Sequence, residues 1–162
     1  MRYSTLDSPL GDLLLAGDDG ALRYLWMVEG RHKVSPRRDW VRDDDAFAAT
    51  RRELEEYFAG DRTTFDVELE LGGTPFQQRV WNALREIPYG ETVSYGELAN
   101  RIEAPRAVRA VGLANGQNPI GIIVPCHRVI GADGSLTGYG GGLENKRRLL
   151  DLEAGVMPLA AL

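Results

Sequence analysis

The stretch NPIGIIVPCHRVI, residues 118–130, carries the clearest structural signal in this 162-residue chain. Its apolar run 120–124 is typical of a buried extended segment, which Pro125 ends. Cys126 and His127 follow at once, so a thiol and an imidazole stand at the end of a rigid element. A thiolate is the nucleophilic form of cysteine, and its pKa falls near cationic groups or a base. Neighbours on a strand point to opposite sides, so contact between the two side chains needs a bend or a bridging water.

Cys126 is the only cysteine of a chain that also has just two histidines. An internal disulfide and a cysteine-rich zinc site are therefore excluded, and we predict no bound metal. A single cysteine is more often a small buried apolar residue than a reactive one. Only its neighbours can therefore indicate a reactive thiol.

Glu153 is a candidate third member of the site. Residues 144–153, ENKRRLLDLE, have the pattern of a helix in which Glu153 shares the apolar face of Leu149 and Leu150. A buried carboxylate needs a partner, and fixing the tautomer of His127 would provide one. The alternative is a glutamate at a fraying helix end, paired with solvent.

A glycine-rich loop, residues 131–142, lies between the cysteine and this helix. It lacks the lysine and the spacing of a phosphate-binding P-loop. Glycines allow a backbone to approach a ligand closely, so the loop predicts one wall of a pocket. Tyr139 is expected to line this pocket or, as the alternative, to pack in a satellite core.

Two short helices precede the cysteine. Ser94 and Glu97 have the spacing of a capping box for a helix that ends near residue 102, and 106–116 predicts a second helix. A tight turn between them predicts a helix-turn-helix, with two ordinary packed helices as the alternative. The second helix carries Arg109, which is either a DNA contact or a solvated arginine. Its small residues suit a DNA groove or close helix packing: Ala107, Ala110, Gly112 and Ala114.

The first half of the chain predicts a small antiparallel sheet with one helix. Short strands occupy residues 1–28, with a hairpin at Asp18–Gly20, and 44–59 has the apolar spacing of a helix. Residues 65–71 alternate apolar and acidic side chains, as a half-exposed strand or a connector does.

A domain boundary is predicted at Gly72-Gly73, directly before a helix that Thr74 caps. We therefore predict an α+β protein of two domains, 1–72 and 73–162, of which the second is mostly helical.

Charge is unevenly distributed along the chain. The net charge is −5, but residues 1–70 hold 10 basic and 16 acidic residues, whereas 71–162 hold 9 and 8. Within 105–150, six basic residues stand against two acidic ones, which predicts local attraction of phosphate. Arg128 belongs to this basic group and is a candidate DNA contact, with an ordinary solvated side chain as the alternative.

Composition favours a folded protein without a membrane span. Apolar residues make up 43% of the chain, enough for a core, and no run of 18 or more apolar residues occurs. The N-terminal residues lack the charged and apolar regions of a signal peptide, so we expect a cytoplasmic protein.

The hexapeptide VPCHRV, residues 124–129, resembles the active-site signature of the O6-alkylguanine-DNA alkyltransferases, also called methylated-DNA–protein-cysteine methyltransferases. The resemblance runs from about Thr74 to Glu153 and is greatest to the bacterial form. It implies an RNase H-like N-terminal domain, followed by a DNA-binding domain with a helix-turn-helix. The first 70 residues fit that N-terminal domain in length and pattern but carry no signature of their own.

The same resemblance implies direct DNA repair. A methyl or larger alkyl group would pass irreversibly from O6-alkylguanine in a flipped nucleotide to a cysteine, once per protein molecule. The partner would be double-stranded DNA with alkylated bases, bound by a monomer that needs no cofactor. Activity on O4-alkylthymine, the preferred alkyl size and cooperative assembly on DNA stay open.

Catalytic roles follow from the matching positions. Cys126 would accept the alkyl group, and His127 would activate it through a water, with Glu153 behind the imidazole. Asn118 would brace the active-site turn. Tyr95 would contact the flipped nucleotide and help to protonate the departing guanine.

DNA-binding and pocket roles follow in the same way. Arg109 matches the arginine that fills the gap left in the base stack, and Tyr95 also contacts DNA. Three small residues would let the helix approach the minor groove: Ala107, Ala110 and Gly112. Three residues would form the pocket for the base: Val129, Tyr139 and Asn115.

Three other functions stay open on the sequence. An alkyltransferase-like protein would bind the lesion without transfer, but such relatives replace the cysteine. A helix-turn-helix regulator would leave the Cys126, His127 and Glu153 set unexplained. A thiol hydrolase would turn over repeatedly, whereas alkyl transfer consumes the protein.

Overall fold

The structure, a computed structural model, describes residues 1–30 and 34–156. The described residues form an α+β fold, as predicted, with a small sheet and one helix in the first half and mainly helices in the second. No helix within this part of the chain is both long and apolar enough to cross a membrane.

The sheet of the first half has the strand order β3-β2-β1-β4. Strands β1, β2 and β3 are antiparallel neighbours, and the two-residue β4 pairs parallel to β1. Asp19 and Gly20 both have positive φ values, 51° and 82°, which suits a tight turn between twisted strands and confirms the predicted hairpin. The short β4 was not predicted. The strands are β1 Arg2–Leu6, β2 Leu13–Asp18, β3 Ala21–Met27 and β4 Val41–Arg42.

Helix α1, Ala48–Phe58, shares an apolar core with this sheet, and its Arg51 donates to the Thr5 carbonyl of β1. It begins later than the predicted range 44–59, because Phe47 adopts a left-handed conformation with φ of 64° and cannot continue a right-handed helix. Its buried face includes Leu54, Tyr57 and Phe58, so the apolar spacing that predicted the helix is the spacing of its core contacts.

Four helices dominate the second half, and local sequence explains where two of them begin. Thr74 with Gln77 and Ser94 with Glu97 both form the reciprocal bonds of a capping box, which confirms the predicted helix starts. The helices are α2 Pro75–Arg85, α3 Tyr95–Arg101, α4 Val108–Gly116 and α5 Leu143–Glu153. Two short strands, β5 Val93–Ser94 and β6 Val129–Ile130, pair in parallel beside α3.

Helices α3 and α4 form the predicted helix-turn-helix, joined by residues 102–107. The indole nitrogen of Trp81 on α2 donates to the carbonyl of Ala114 at 2.8 Å, which ties α4 to the helix behind it. The outer side of α4 is consequently left free to face a partner.

The two halves share one apolar core. The edge of β3 binds the start of the turn that precedes Cys126: the Leu25 amide donates to the Pro119 carbonyl at 2.9 Å, and the Gly121 amide donates to the Leu25 carbonyl at 3.2 Å. Residues 65–71 form the connector and not the strand of the two predicted alternatives, since Leu69 alone among them forms a β-bridge, with Leu22 of β3. The first half therefore supports the segment that leads to Cys126.

Candidate active site

The segment 120–124 is buried but not extended, and that part of the prediction was wrong. It folds into a turn in which the Val124 amide donates to the Ile120 carbonyl at 3.0 Å and Ile122 has φ of 69°. A positive φ at a β-branched residue is strained and costs about 1–3 kcal/mol. The turn persists because neighbouring bonds hold it.

Asn118 supplies two of those bonds. Its side-chain nitrogen donates to the Val124 carbonyl at 2.7 Å, and its side-chain oxygen accepts from the Ile120 amide at 3.0 Å. One amide group thus closes both ends of the strained turn. This geometry agrees with the bracing role assigned to Asn118.

Cys126 opens a single 3-10 turn, Cys126–Arg128, directly after Pro125. The turn replaces the strand geometry that would have sent Cys126 and His127 to opposite sides. Cys126 is 8% exposed and lines a cavity of about 330 Å³, within the range of small-molecule pockets. Cys126 is therefore reachable from the cavity although it is mostly buried.

The cavity has walls from both halves of the chain. Leu25 and Met27 of β3 face it from the first half, and the backbone of the glycine-rich loop forms another side. The cavity residues that the sequence had singled out are Cys126, Asn118, Asn115 and Tyr139.

Burial raises the pKa of the Cys126 thiol above its ordinary value. A hydrogen bond with Asn118 and the positive charge of Lys146 act in the opposite direction but do not outweigh burial. The resting residue is therefore a thiol, whereas the sequence had suggested a lowered pKa. A base must therefore take this proton before the sulfur can act as a nucleophile.

His127 is the adjacent base and is fully buried. Its Nε2 lies 2.7 Å from Oε2 of Glu153, and its Nδ1 is buried without a hydrogen-bond partner among the described residues. Burial lowers the pKa of His127, and the neighbouring Glu153 opposes that effect only in part. His127 is thus neutral near pH 7, with a proton on Nε2 and a free acceptor at Nδ1.

Glu153 is the ionised centre of this network. Burial acts to raise its pKa, but the hydrogen bonds from His127 and Arg128, together with the positive charge of Arg128, prevail and lower the pKa to about 2. The prediction that it lies behind His127 agrees with the geometry, and the alternative of a solvent-paired helix end does not.

Arg128 does not lie where the sequence placed it. It is 6% exposed, and its Nε donates to Oε1 of Glu153 at 2.7 Å while its Nη1 donates to the Ile87 carbonyl at 2.6 Å. A guanidinium committed to these buried acceptors is not free for phosphate. The predicted DNA contact is corrected to a buried ion pair with Glu153.

Two functional neighbours were missed from the sequence. The Tyr57 hydroxyl donates to Oε2 of Glu153 at 2.6 Å from a helix 96 residues away, a distance that no local pattern bridges. Lys146 is fully buried, and its Nζ donates to the carbonyls of Val129 and Thr137 at 2.6 and 2.9 Å. Lys146 lies three residues before Leu149, on the apolar face of the predicted helix, and this spacing could have indicated that the lysine is buried.

Tyr95 begins α3, and its hydroxyl donates to the Thr137 carbonyl at 3.3 Å, against the glycine-rich loop. It is partly exposed and lies next to Gly138, which lines the cavity.

Tyr139 is buried in the cavity wall, and burial raises its pKa well above 10. The Val129 side chain is fully buried in the core and does not line the cavity, so its predicted pocket role is corrected.

The outer face of α4 leads toward the cavity. Arg109, Ala110 and Leu113 are exposed, and Gly116 at the end of the same helix lines the cavity. Ala107 and Gly112 are only half-buried. A side-chain carbon at position 112 would lie 3.7 Å from the Tyr95 ring, an ordinary van der Waals contact, so Gly112 lies beside Tyr95 but this contact does not require a glycine.

A cavity-lining cysteine next to a histidine–glutamate pair, beside an exposed helix-turn-helix, is the arrangement expected of a protein that carries out group transfer on DNA. Two family models cover nearly all of it: "6-O-methylguanine DNA methyltransferase, ribonuclease-like domain" matches residues 1–71, and "6-O-methylguanine DNA methyltransferase, DNA binding domain" matches residues 75–155.

Curated relatives agree with the family models. A methylated-DNA–protein-cysteine methyltransferase of Mycobacterium tuberculosis is 60% identical over 158 residues, 98% of this chain and 95% of the relative. One of Methanosarcina acetivorans is 55% identical over 153 residues, 94% and 98% of the two chains. The crystal structure of Mycobacterium tuberculosis OGT in complex with DNA matches with a TM-score of 0.92 and 59% identity, over 98% of this chain and 96% of that one. The chain belongs to the methylated-DNA–protein-cysteine methyltransferase family.

Proposed function

We propose that this chain repairs DNA by moving the alkyl group of an O6-alkylguanine onto Cys126, once per molecule. The observation that carries this proposal is the position of the only cysteine, at the wall of a cavity and next to a neutral histidine held by Glu153. Membership of the family supports the reaction, and the local geometry supports the assignment of Cys126, His127 and Glu153.

The reaction is a displacement at the alkyl carbon. Nδ1 of His127 takes the thiol proton through a water, and the thiolate Sγ then attacks the carbon. The new S–C bond forms as the C–O6 bond breaks, so the electron pair leaves with guanine. Tyr95 donates its phenol proton to the departing guanine, and the proton that His127 took from Cys126 passes through solvent to the Tyr95 phenolate, so that both side chains end neutral.

The thioether product explains why each molecule acts once. A thioether has no proton to lose and is a poor leaving group, so no residue of the site can regenerate the thiol. The protein is therefore both catalyst and reactant.

Double-stranded DNA with an alkylated base is the proposed partner. The alkylated oxygen lies in a base pair, so the nucleotide must leave the stack, at a cost of a few kcal/mol. The exposed face of α4 offers Arg109 to fill the gap and Ala110 to allow close approach to the minor groove. The relative solved with DNA supports this partner.

The stoichiometry of repair tests this function. Increasing amounts of a duplex that contains one O6-methylguanine are incubated with a fixed amount of protein. We expect repair to stop at one lesion per protein molecule. Repair that continues past this ratio would indicate turnover and would favour the thiol hydrolase.

Arg109→Ala is expected to slow repair of duplex DNA by about 10- to 100-fold, because the vacated position in the stack is no longer filled. Reaction with free O6-benzylguanine should stay unchanged, since a free base needs no extrusion. Transfer rates on the two substrates measure the difference.

Arg147→Ala is the matched control, because it removes the same charge from an exposed position on α5. It should affect duplex repair by less than about threefold at physiological salt. Equal losses in both variants would reduce Arg109 to a general phosphate contact.

We also propose that the two domains meet at residues 72–73, which the ranges of the two family models support. The protein is proposed to act as a cytoplasmic monomer.

A further inference from the structure

Tyr57 links the first half of the chain to the reacting groups. It lies on α1, it is fully buried, and its hydroxyl donates to Oε2 of Glu153 at 2.6 Å. The same oxygen accepts from Nε2 of His127 at 2.7 Å and from Nη2 of Arg128 at 3.0 Å. Oε2 therefore receives three donors, and the donor from Tyr57 comes from the half that does not contain the cysteine.

The phenol can act only as a donor in this place. Burial raises the pKa of Tyr57 well above 10, and the negative charge of Glu153 adds to that effect. A protonated phenol at 2.6 Å from a carboxylate forms a charge-assisted hydrogen bond, which is stronger than a bond between neutral groups. Tyr57 is therefore a fixed donor to the oxygen that orients His127.

Resting on the proposed function, we propose that Tyr57 is a positioning residue of the alkyl-transfer site, whose hydroxyl holds the Glu153 carboxylate in the orientation that presents Oε2 to His127. It touches neither the thiol nor the lesion and acts through Glu153. The RNase H-like half would thereby contribute to the reaction through Glu153, beyond its support of the active-site turn.

Tyr57→Phe removes one donor from Oε2 and leaves the ring in place. The carboxylate then presents more negative charge to His127, so the pKa of the imidazole should rise by about half to one unit. The titratable or charged groups that face these two residues are Glu153, Arg128, Lys146, Tyr139 and Tyr89.

Two measurements test the proposal. Nitrogen-15 NMR follows the titration of His127, and the spectrum of His127→Gln assigns its signals in a chain with two histidines. Transfer from free O6-benzylguanine is then timed across pH, without DNA. A base that must be neutral gives a low-pH limb, and a shift of half to one unit lowers the rate about three- to tenfold within that limb.

Tyr89→Phe is the matched control. Tyr89 packs edge-on against Tyr57 with ring centroids 6.1 Å apart, but its hydroxyl lies 3.4 Å from the Leu152 carbonyl and does not bind Glu153. This variant removes a phenol hydroxyl from the same cluster and should keep the wild-type titration and pH profile.

The possible outcomes separate the two proposals. The positioning role would be overturned if Tyr57→Phe left the His127 titration unshifted and lowered the transfer rate equally at every pH. That result would show that Tyr57 has a merely structural role. A wild-type protein that transfers nothing from O6-benzylguanine or methylated DNA would overturn the proposed function, whatever the NMR shows.

Discussion

Cys126→Ser is expected to abolish alkyl transfer while the protein still folds and binds methylated DNA. An alcohol holds its proton far more tightly than a thiol, and His127 cannot generate its anion near pH 7. The transfer rate should fall by at least about 10³-fold, equivalent to roughly 4 kcal/mol in the barrier. Incubation with duplex DNA carrying a labelled O6-methyl group measures the label bound to protein.

Cys126→Ala controls for the chemistry of the serine hydroxyl, since it removes the nucleophile without adding a polar group. Both variants should bind the lesion duplex about as tightly as wild-type protein, because the exposed face of α4 is unchanged. Label found on either variant would show that another residue accepts the alkyl group.

Glu153→Gln is expected to cost about 3–5 kcal/mol of unfolding free energy, because it leaves the Arg128 guanidinium buried without a counter-charge. Alkyl transfer should also fall, since His127 loses the carboxylate that fixes its tautomer. Urea denaturation measures the first effect, and the transfer rate of the remaining folded protein measures the second.

The difference in unfolding free energy between wild type and Glu153→Gln is expected to depend on pH. The pKa of Glu153 is about 2 in the folded protein and 4.5 ordinarily, so its ionised form favours folding. That contribution is present above pH 4.5 and is lost as the pH falls from 4.5 toward 2. The stability gap between wild type and Glu153→Gln should therefore narrow across this window.

Glu144→Gln is the matched control on the same helix. Its carboxylate is 84% exposed and lies 3.7 Å from Arg148, so its removal should cost no more than about 0.5 kcal/mol. If the two variants lost equal unfolding free energy, the effect would come from removing any negative charge from helix α5 and not from breaking the buried network around Glu153.

The features that the sequence predicted well are encoded within a few residues. Capping boxes at Thr74 and Ser94 mark helix starts because donor and acceptor are three residues apart. The hairpin at Asp19-Gly20 follows from the backbone freedom of its two residues. Helix α5 and the placement of Glu153 on its inner face follow from the spacing of the leucines.

The features that the sequence missed depend on distant parts of the chain. Residues 120–124 have the composition of a strand, but bonds to Asn118 and to the edge of β3 hold them in a strained turn. Arg128 looks like a surface cation until its partner, 25 residues later, is brought beside it. Tyr57 contributes through a contact between the two halves.

The intact mass of the protein after reaction with O6-benzylguanine, followed by peptide mapping, tests the central claim most directly. We expect every active molecule to gain the mass of one benzyl group, located on the peptide that contains Cys126, with one guanine released per protein. An unchanged protein mass alongside released guanine, or a benzyl group on any other residue, would contradict transfer to Cys126.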